Sequence, residues 1–233
     1  MDIAPLDPDR INTVLFDVIG TLVDEDAAWP VVARRLAAEA GAASADDLRA
    51  TWSSLLAARM DAVVAGSAPW RPHRELVADA ADEAIARHGG TPSAATHDLA
   101  TRLDRGYPAW PDVADGTAVI RRSRLVAGLS NGDLDALARI AQAQRISWDA
   151  VLSTGSVRTF KPDPAAYRHA IEALDLDPAR TLFVAAHPWD LRAAAEHGFR
   201  TAYVARPGAE RPSPADAVDV TVTDVEELAT LLG

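Results

Sequence analysis

Short apolar runs that alternate with helical stretches constrain this chain more than any other feature. Thr13 to Asp17 (TVLFD) comes first. Leu125 to Ser130, Ala150 to Thr154, Thr181 to Ala185 and Thr201 to Ala205 repeat the pattern, with Val218 to Val222 as a weaker sixth. Continuous apolar runs of this length bounded by turn residues read as strands buried on both faces. Between them, Asp133 to Gln144, Pro164 to Leu174, Asp190 to His197 and Asp224 to Leu232 have helical spacing and helix-start residues. Alternating strands and helices with short connections require right-handed crossovers, hence an α/β fold with a mainly parallel sheet covered on both faces. Ligands of such sheets bind outside the carboxyl ends of the strands.

From about Asp24 to Pro111 the rhythm stops. This stretch is rich in Ala, Leu, Glu and Arg and reads as about four helices, near Ala28 to Ala40, Ala45 to Ala65, His73 to His88 and Pro92 to Arg105. The expected organisation is therefore a Rossmann-like core from residues 1–23 and 112–233, with a helical bundle of residues 24–111 inserted after the first strand. Arg206 to Ala215 reads as a Pro-rich surface loop, Arg121, Arg122 and Arg124 as a solvated cluster, and Trp29 and Trp70 as core or pocket wall.

Composition narrows the function. No stretch of the 233 residues approaches the roughly 18 consecutive apolar residues of a membrane span. The first ten residues carry Asp2, Pro5, Asp7 and Pro8 where an export leader would be basic and then apolar, so a cytoplasmic address is expected. A net charge of -11 has the wrong sign for a phosphate backbone. The absence of cysteine removes disulfides, thiolate metal sites and a thiol nucleophile. Among 23 basic residues Lys161 is the only Lys, the other 22 being Arg. Where coding bias favours Arg throughout, a surviving Lys marks a place that needs a compact ammonium instead of a planar guanidinium fork.

Four polar positions fall at expected strand ends. Asp17-Val18-Ile19-Gly20-Thr21 offers a carboxylate beside a tight turn with free amides, Ser130-Asn131-Gly132 a hydroxyl and an amide, Lys161-Pro162 an ammonium before a helix, and Asp190 a second carboxylate. A carboxylate so placed can act as a nucleophile, with neighbouring N–H groups ready to hold an anion. Taken in this order, FDVIGTLVD, LSNG, FKPDPAAY and FVAAHPWD resemble the four motifs of the haloacid dehalogenase superfamily over roughly residues 11–24 and 113–233, and the helical insertion sits where that superfamily places its cap. Within it the likeness is to the type II (S)-2-haloacid dehalogenases. Two departures from the phosphatase majority agree: Ile19 stands where phosphatases keep a general acid, and Ala186 where they keep a magnesium ligand.

The resemblance implies a two-step hydrolysis without metal or cofactor. Asp17 displaces the leaving group from the carbon beside a carboxylate, and water then attacks the ester carbonyl to release a 2-hydroxy acid. Lys161 is expected to pair with Asp17 and Asp190, Thr21 to orient Asp17, and Ser130 with the N–H groups of Val18 and Ile19 to hold the substrate carboxylate. Asn131 matches a residue that cradles the halide, Tyr167 an active-site tyrosine, and Trp189 an apolar wall. His187 stands where many relatives carry Asn, and is the candidate for a water-activating base. The cap arginine that grips the halide has no direct match, since Ser53 follows Trp52; Arg59, Arg71 and Arg74 are the candidates to replace it. The expected partner is a small carboxylate, with neither nucleic acid nor membrane, and a homodimer is left open. Ring opening of a strained cyclic amino acid, a magnesium-dependent phosphatase and a non-catalytic binder are the alternatives.

Overall fold

The computed structural model describes residues 6–216 and 218–233, so Asp2 and Pro5 lie outside the described residues. Six parallel strands form one sheet: β1 (Thr13–Phe16), β2 (Leu125–Ser130), β3 (Ala150–Ser153), β4 (Thr181–Ala185), β5 (Arg200–Val204) and β6 (Val220–Val222), in the order β3-β2-β1-β4-β5-β6. Every residue of β1 and β4 is buried, which is why after an opening threonine each runs apolar instead of alternating. Phe16 pairs with Gly128 on one side and Val184 on the other, so the carboxyl ends of β1, β2 and β4 open side by side. The strand order reverses between β1 and β4, the crevice where an α/β sheet binds its ligand.

Four helices follow β1: α1 (Glu25–Ala40), α2 (Ala45–Val64), α3 (His73–Arg87) and α4 (Ala94–Ala100). Their starts are written in the sequence. Asp24 caps α1 through the Ala27 N–H at 3.1 Å, and Ser44 caps α2 through the Asp47 N–H at 3.3 Å. Trp29 and Trp52 meet edge to face at 4.4 Å between α1 and α2, and the Trp52 indole N–H donates to the Val77 carbonyl of α3. The expected fourth cap helix is shorter than its sequence pattern, ending at Ala100 with a separate 3-10 turn at Leu103–Gly106. The two connections to the core hold each other: the Asp24 N–H donates to the Pro108 carbonyl at 2.8 Å and the Trp110 N–H to the Leu22 carbonyl at 3.1 Å.

The core helices are α5 (Val113–Ile120), α6 (Leu134–Gln144), α7 (Pro164–Leu174), α8 (Pro188–Glu196) and α9 (Val225–Leu232). Helix α8 begins two residues before its sequence pattern, at Pro188, which suits a first helical turn because its missing N–H would be unpaired there anyway. Two surface readings are corrected. Arg206 is buried: its Nε donates to the Thr21 carbonyl at 2.8 Å, its Nη1 pairs with Asp112 at 2.8 Å, and it lies over the Trp110 ring. Arg124 donates to the carbonyls of Pro8, Ile11 and Leu232, tying the first and last described segments to the sheet.

Candidate active site

Asp17 extends β1 by one residue into the crevice and is only 4% exposed. Its two oxygens have different partners. Lys161 Nζ donates to Oδ1 at 2.7 Å, and the Thr21 hydroxyl donates to Oδ2 at 2.7 Å while accepting the Ala186 N–H at 2.8 Å. Thr21 therefore couples the first strand to the loop after β4. Lys161, also 4% exposed, donates to Asp190 as well, and the Tyr167 hydroxyl donates to the other Asp190 oxygen at 2.5 Å. Burial works against the Lys161 ammonium, but Asp17 and Asp190 outweigh it and hold its pKa above the ordinary lysine value. Burial pushes the Asp190 carboxyl up, against the pull of Lys161. The Lys161–Pro162 peptide is cis.

Beside this triad the β2 end supplies donors. Ser130 accepts the Gly132 N–H at 3.2 Å, which leaves its hydroxyl hydrogen for a ligand. Asn131 uses its carboxamide oxygen to accept the Lys161 N–H at 2.7 Å and the Thr154 hydroxyl at 3.3 Å, so its NH₂ remains a donor toward the cleft that it lines. Among the described residues the N–H groups of Val18 and Ile19 make no hydrogen bond, as an anion-binding turn requires. Asp17, Ser130, Asn131 and Lys161 open into a cavity of about 650 Å³ whose far wall is cap helix α2.

Several expected residues occupy other places. Tyr167 is fully buried behind Asp190 and positions that carboxylate instead of meeting a ligand. The Val18 side chain is core, so only its amide serves the cleft. His187 lines the cavity and stacks on Trp189, but its Nε2 lies 3.1 Å from the Ile19 carbonyl, which can only accept. That nitrogen therefore carries a hydrogen, and 3.7 Å away it faces Asp17 Oδ2 as a donor, not as a base. Gly20, at φ +83°, makes room for it: a Cβ there would sit 2.6 Å from His187 Nε2. None of the three candidate cap arginines lines the cleft. Arg59 is paired with Glu83, Arg71 with Glu75 and Asp79, and Arg74 with Asp133 at 3.2 Å.

The cap arginine that lines the cleft is Arg49, one helical turn before Ser53 on α2, and among the described residues it has no acidic partner. Glu25 and His73 also line the cavity and had no motif to announce them. Glu25 accepts the Trp29 indole N–H at 3.3 Å, and its recessed position pushes its carboxyl above the usual range although His187 draws it down. The donor set does not fit a magnesium ion. Asp17 and Asp190 already share the Lys161 ammonium, and Ile19 and Ala186 bring no further oxygen from their side chains.

A family model of haloacid dehalogenase-like hydrolases matches residues 11–198, and the chain belongs to that family. It is similar to (S)-2-haloacid dehalogenase 1 of Pseudomonas sp. (strain CBS-3), 26% identical over 85% of this chain and 86% of that one. It is 33% identical to (S)-2-haloacid dehalogenase 4A of Burkholderia cepacia over 47% of this chain, a match that spans only 50% of that enzyme. It is also 32% identical to a phosphoserine phosphatase of Thermus thermophilus, over 78% of this chain and 72% of that one. Among solved structures the defluorinating L-2-haloacid dehalogenase Rha0230 superposes with a TM-score of 0.87 at 27% identity, covering 98% of this chain and 99% of that one.

Proposed function

We propose that this hydrolase displaces halide from the second carbon of (S)-2-haloacids through an ester on Asp17, without a metal ion. The carrying observation is the Lys161 ammonium hydrogen-bonded to both Asp17 and Asp190, a fixed cation where phosphoryl transfer would need a divalent one. Ser130 and the amides of Val18 and Ile19 receive the substrate carboxylate, which aims the second carbon at Asp17. The Asp17 oxygen–carbon bond forms as the carbon–halogen bond breaks, and the bonding pair leaves with the halide toward Asn131 and Arg49. A halide needs no proton to leave, which suits Ile19 at the position of the phosphatase acid.

Water then attacks the Asp17 carbonyl carbon. Glu25 is the carboxylate on the cap side of that carbonyl, and its raised pKa makes it a better proton acceptor than an ordinary glutamate. His187, with its N–H toward Oδ2, stabilises the oxyanion as it forms. Release of the alcohol regenerates Asp17 and gives a 2-hydroxy acid of inverted configuration. The similarity to two named (S)-2-haloacid dehalogenases and to Rha0230 supports this reading against the phosphatase. Halide release from (S)-2-chloropropanoate in the presence of EDTA tests it. Stoichiometric chloride and lactate are expected, whereas turnover of phosphate esters that EDTA abolishes would restore the phosphatase reading.

A further inference from the structure

The cleft contains a second charged assembly that the two-step scheme leaves unused. His73, first residue of α3, lines the cavity, and its Nδ1 lies 2.9 Å from Asp104 Oδ2. Both side chains are 7% exposed. The carboxylate fixes the ring with Nδ1 toward Asp104, so Nε2, which makes no hydrogen bond within the described chain, is the free polar edge of a residue on the cavity wall. The pair is also pinned to the Asn131 loop: the backbone N–H groups of His73 and Arg74 donate to the Asp133 carboxylate at 3.3 and 2.9 Å. His73 thus stands next to the β2 turn, whose Asn131 lines the same cavity. Burial alone would lower its pKa, but the Asp104 charge and hydrogen bond more than offset this, and the imidazole is held above the ordinary histidine value.

We infer that His73, positioned by Asp104, hydrogen-bonds the departing halide and lets this cleft turn over substrates whose leaving atom is fluorine. The inference rests on the dehalogenase reading above and extends it to a leaving-group class. Fluoride is the smallest and most basic halide, so it gains most from a donor as charge develops, whereas bromide departs readily without one. The Asp17 oxygen–carbon bond forms, the carbon–fluorine bond breaks, and the pair leaves with fluorine as fluoride. The imidazolium N–H hydrogen-bonds to it and keeps its proton. The water of the second step adds to the Asp17 carbonyl carbon and leaves its oxygen in that carboxylate, so the product hydroxyl keeps the former Asp17 oxygen and takes one proton from the water, whose other proton leaves to solvent. A purely structural pair, clamping α3 to the core, would affect all halides alike.

The test compares wild type, His73→Gln and Asp104→Asn on (S)-2-fluoropropanoate and (S)-2-bromopropanoate, following each halide and the lactate. Wild type is expected to release both halides. His73→Gln should lower fluoride turnover by about 100-fold, the loss typical of one removed transition-state donor, while bromide turnover changes by less than about threefold. Asp104→Asn should shift the fluoride-to-bromide ratio in the same direction, and its bromide turnover shows that the variant is folded if His73→Gln is not. Equal loss on both substrates in the variants, or a wild type that releases bromide and no fluoride, would overturn the inference while leaving the dehalogenase reading intact. Absence of bromide release from the wild type would instead strike the dehalogenase reading, and the inference with it.

Discussion

The Lys161 side chain is charged, 2% exposed and shared between two carboxylates, which makes it the residue whose size and charge can be separated most cleanly. Three donors on a compact head reach Asp17 and Asp190 from one direction, whereas a guanidinium would spread its donors over a plane wider than the gap. Lys161→Ala and Lys161→Arg should each lower kcat by at least about 100-fold, roughly 2.7 kcal/mol of barrier. Near-normal turnover by the Arg variant would show that charge alone is needed. The lysine was legible in the sequence because it is the only one. The cap cation was not: with 22 arginines, helical spacing cannot tell which guanidinium is neutralised by a neighbouring acid, and Arg59, Arg71 and Arg74 all are, whereas Arg49 has no acidic partner among the described residues. Glu25 and His73 were equally silent, because what makes them unusual is burial beside His187 and Asp104, contacts that no local pattern encodes.

At the scale of elements, the central strands β1 and β4 were read nearly to the residue because burial on both faces leaves them almost continuously apolar, whereas the half-buried edge strand β6 was read two residues too long. Helix α5 escaped because Val113, Gly116, Thr117 and Val119 are poor helix formers. Its packing on α9 overrides propensity, with Gly116 admitting Val225 where a Cβ would lie 2.8 Å from a methyl carbon. The loop after β5 hid its importance for a related reason, since Pro-rich composition describes its exposed part and not Arg206 at its root. That arginine ties the carbonyl of Thr21, the residue whose hydroxyl orients Asp17, to Asp112 and so to α9, whose Val225 N–H donates to the same carboxylate. Arg206→Met leaves the half-buried Asp112 with only the Val225 N–H and empties a buried polar position, and should destabilise the fold by about 3 kcal/mol, measurable by urea unfolding. A change below about 0.5 kcal/mol would show that the tie is dispensable.

Across the whole molecule, buried proton-holding groups set an alkaline limit. The Lys161 ammonium is held above its usual value, and burial raises the Tyr107 and Tyr167 phenols. Each binds its proton more tightly in the folded than in the unfolded chain. The stability they contribute is complete below their unfolded values and is lost as pH rises through the folded ones. The melting temperature should therefore hold up to about pH 10 and fall beyond it, with Tyr167→Phe falling less steeply. A melting temperature unchanged to about pH 12 would contradict this linkage.

Sheet, cap and loops meet at one arrangement, a strand-end carboxylate hydrogen-bonded by Lys161 and by Thr21, which the proposed mechanism makes the nucleophile. The most direct measurement is a single turnover in H₂¹⁸O with enzyme in excess over (S)-2-chloropropanoate, followed by mass spectrometry of the lactate and of the peptide containing Asp17. Water that attacks the ester carbonyl should place the label in the Asp17 carboxylate and leave the first lactate unlabelled. Label in the first lactate with none in Asp17 would mean that water attacks the substrate directly, and Asp17 would not be the nucleophile.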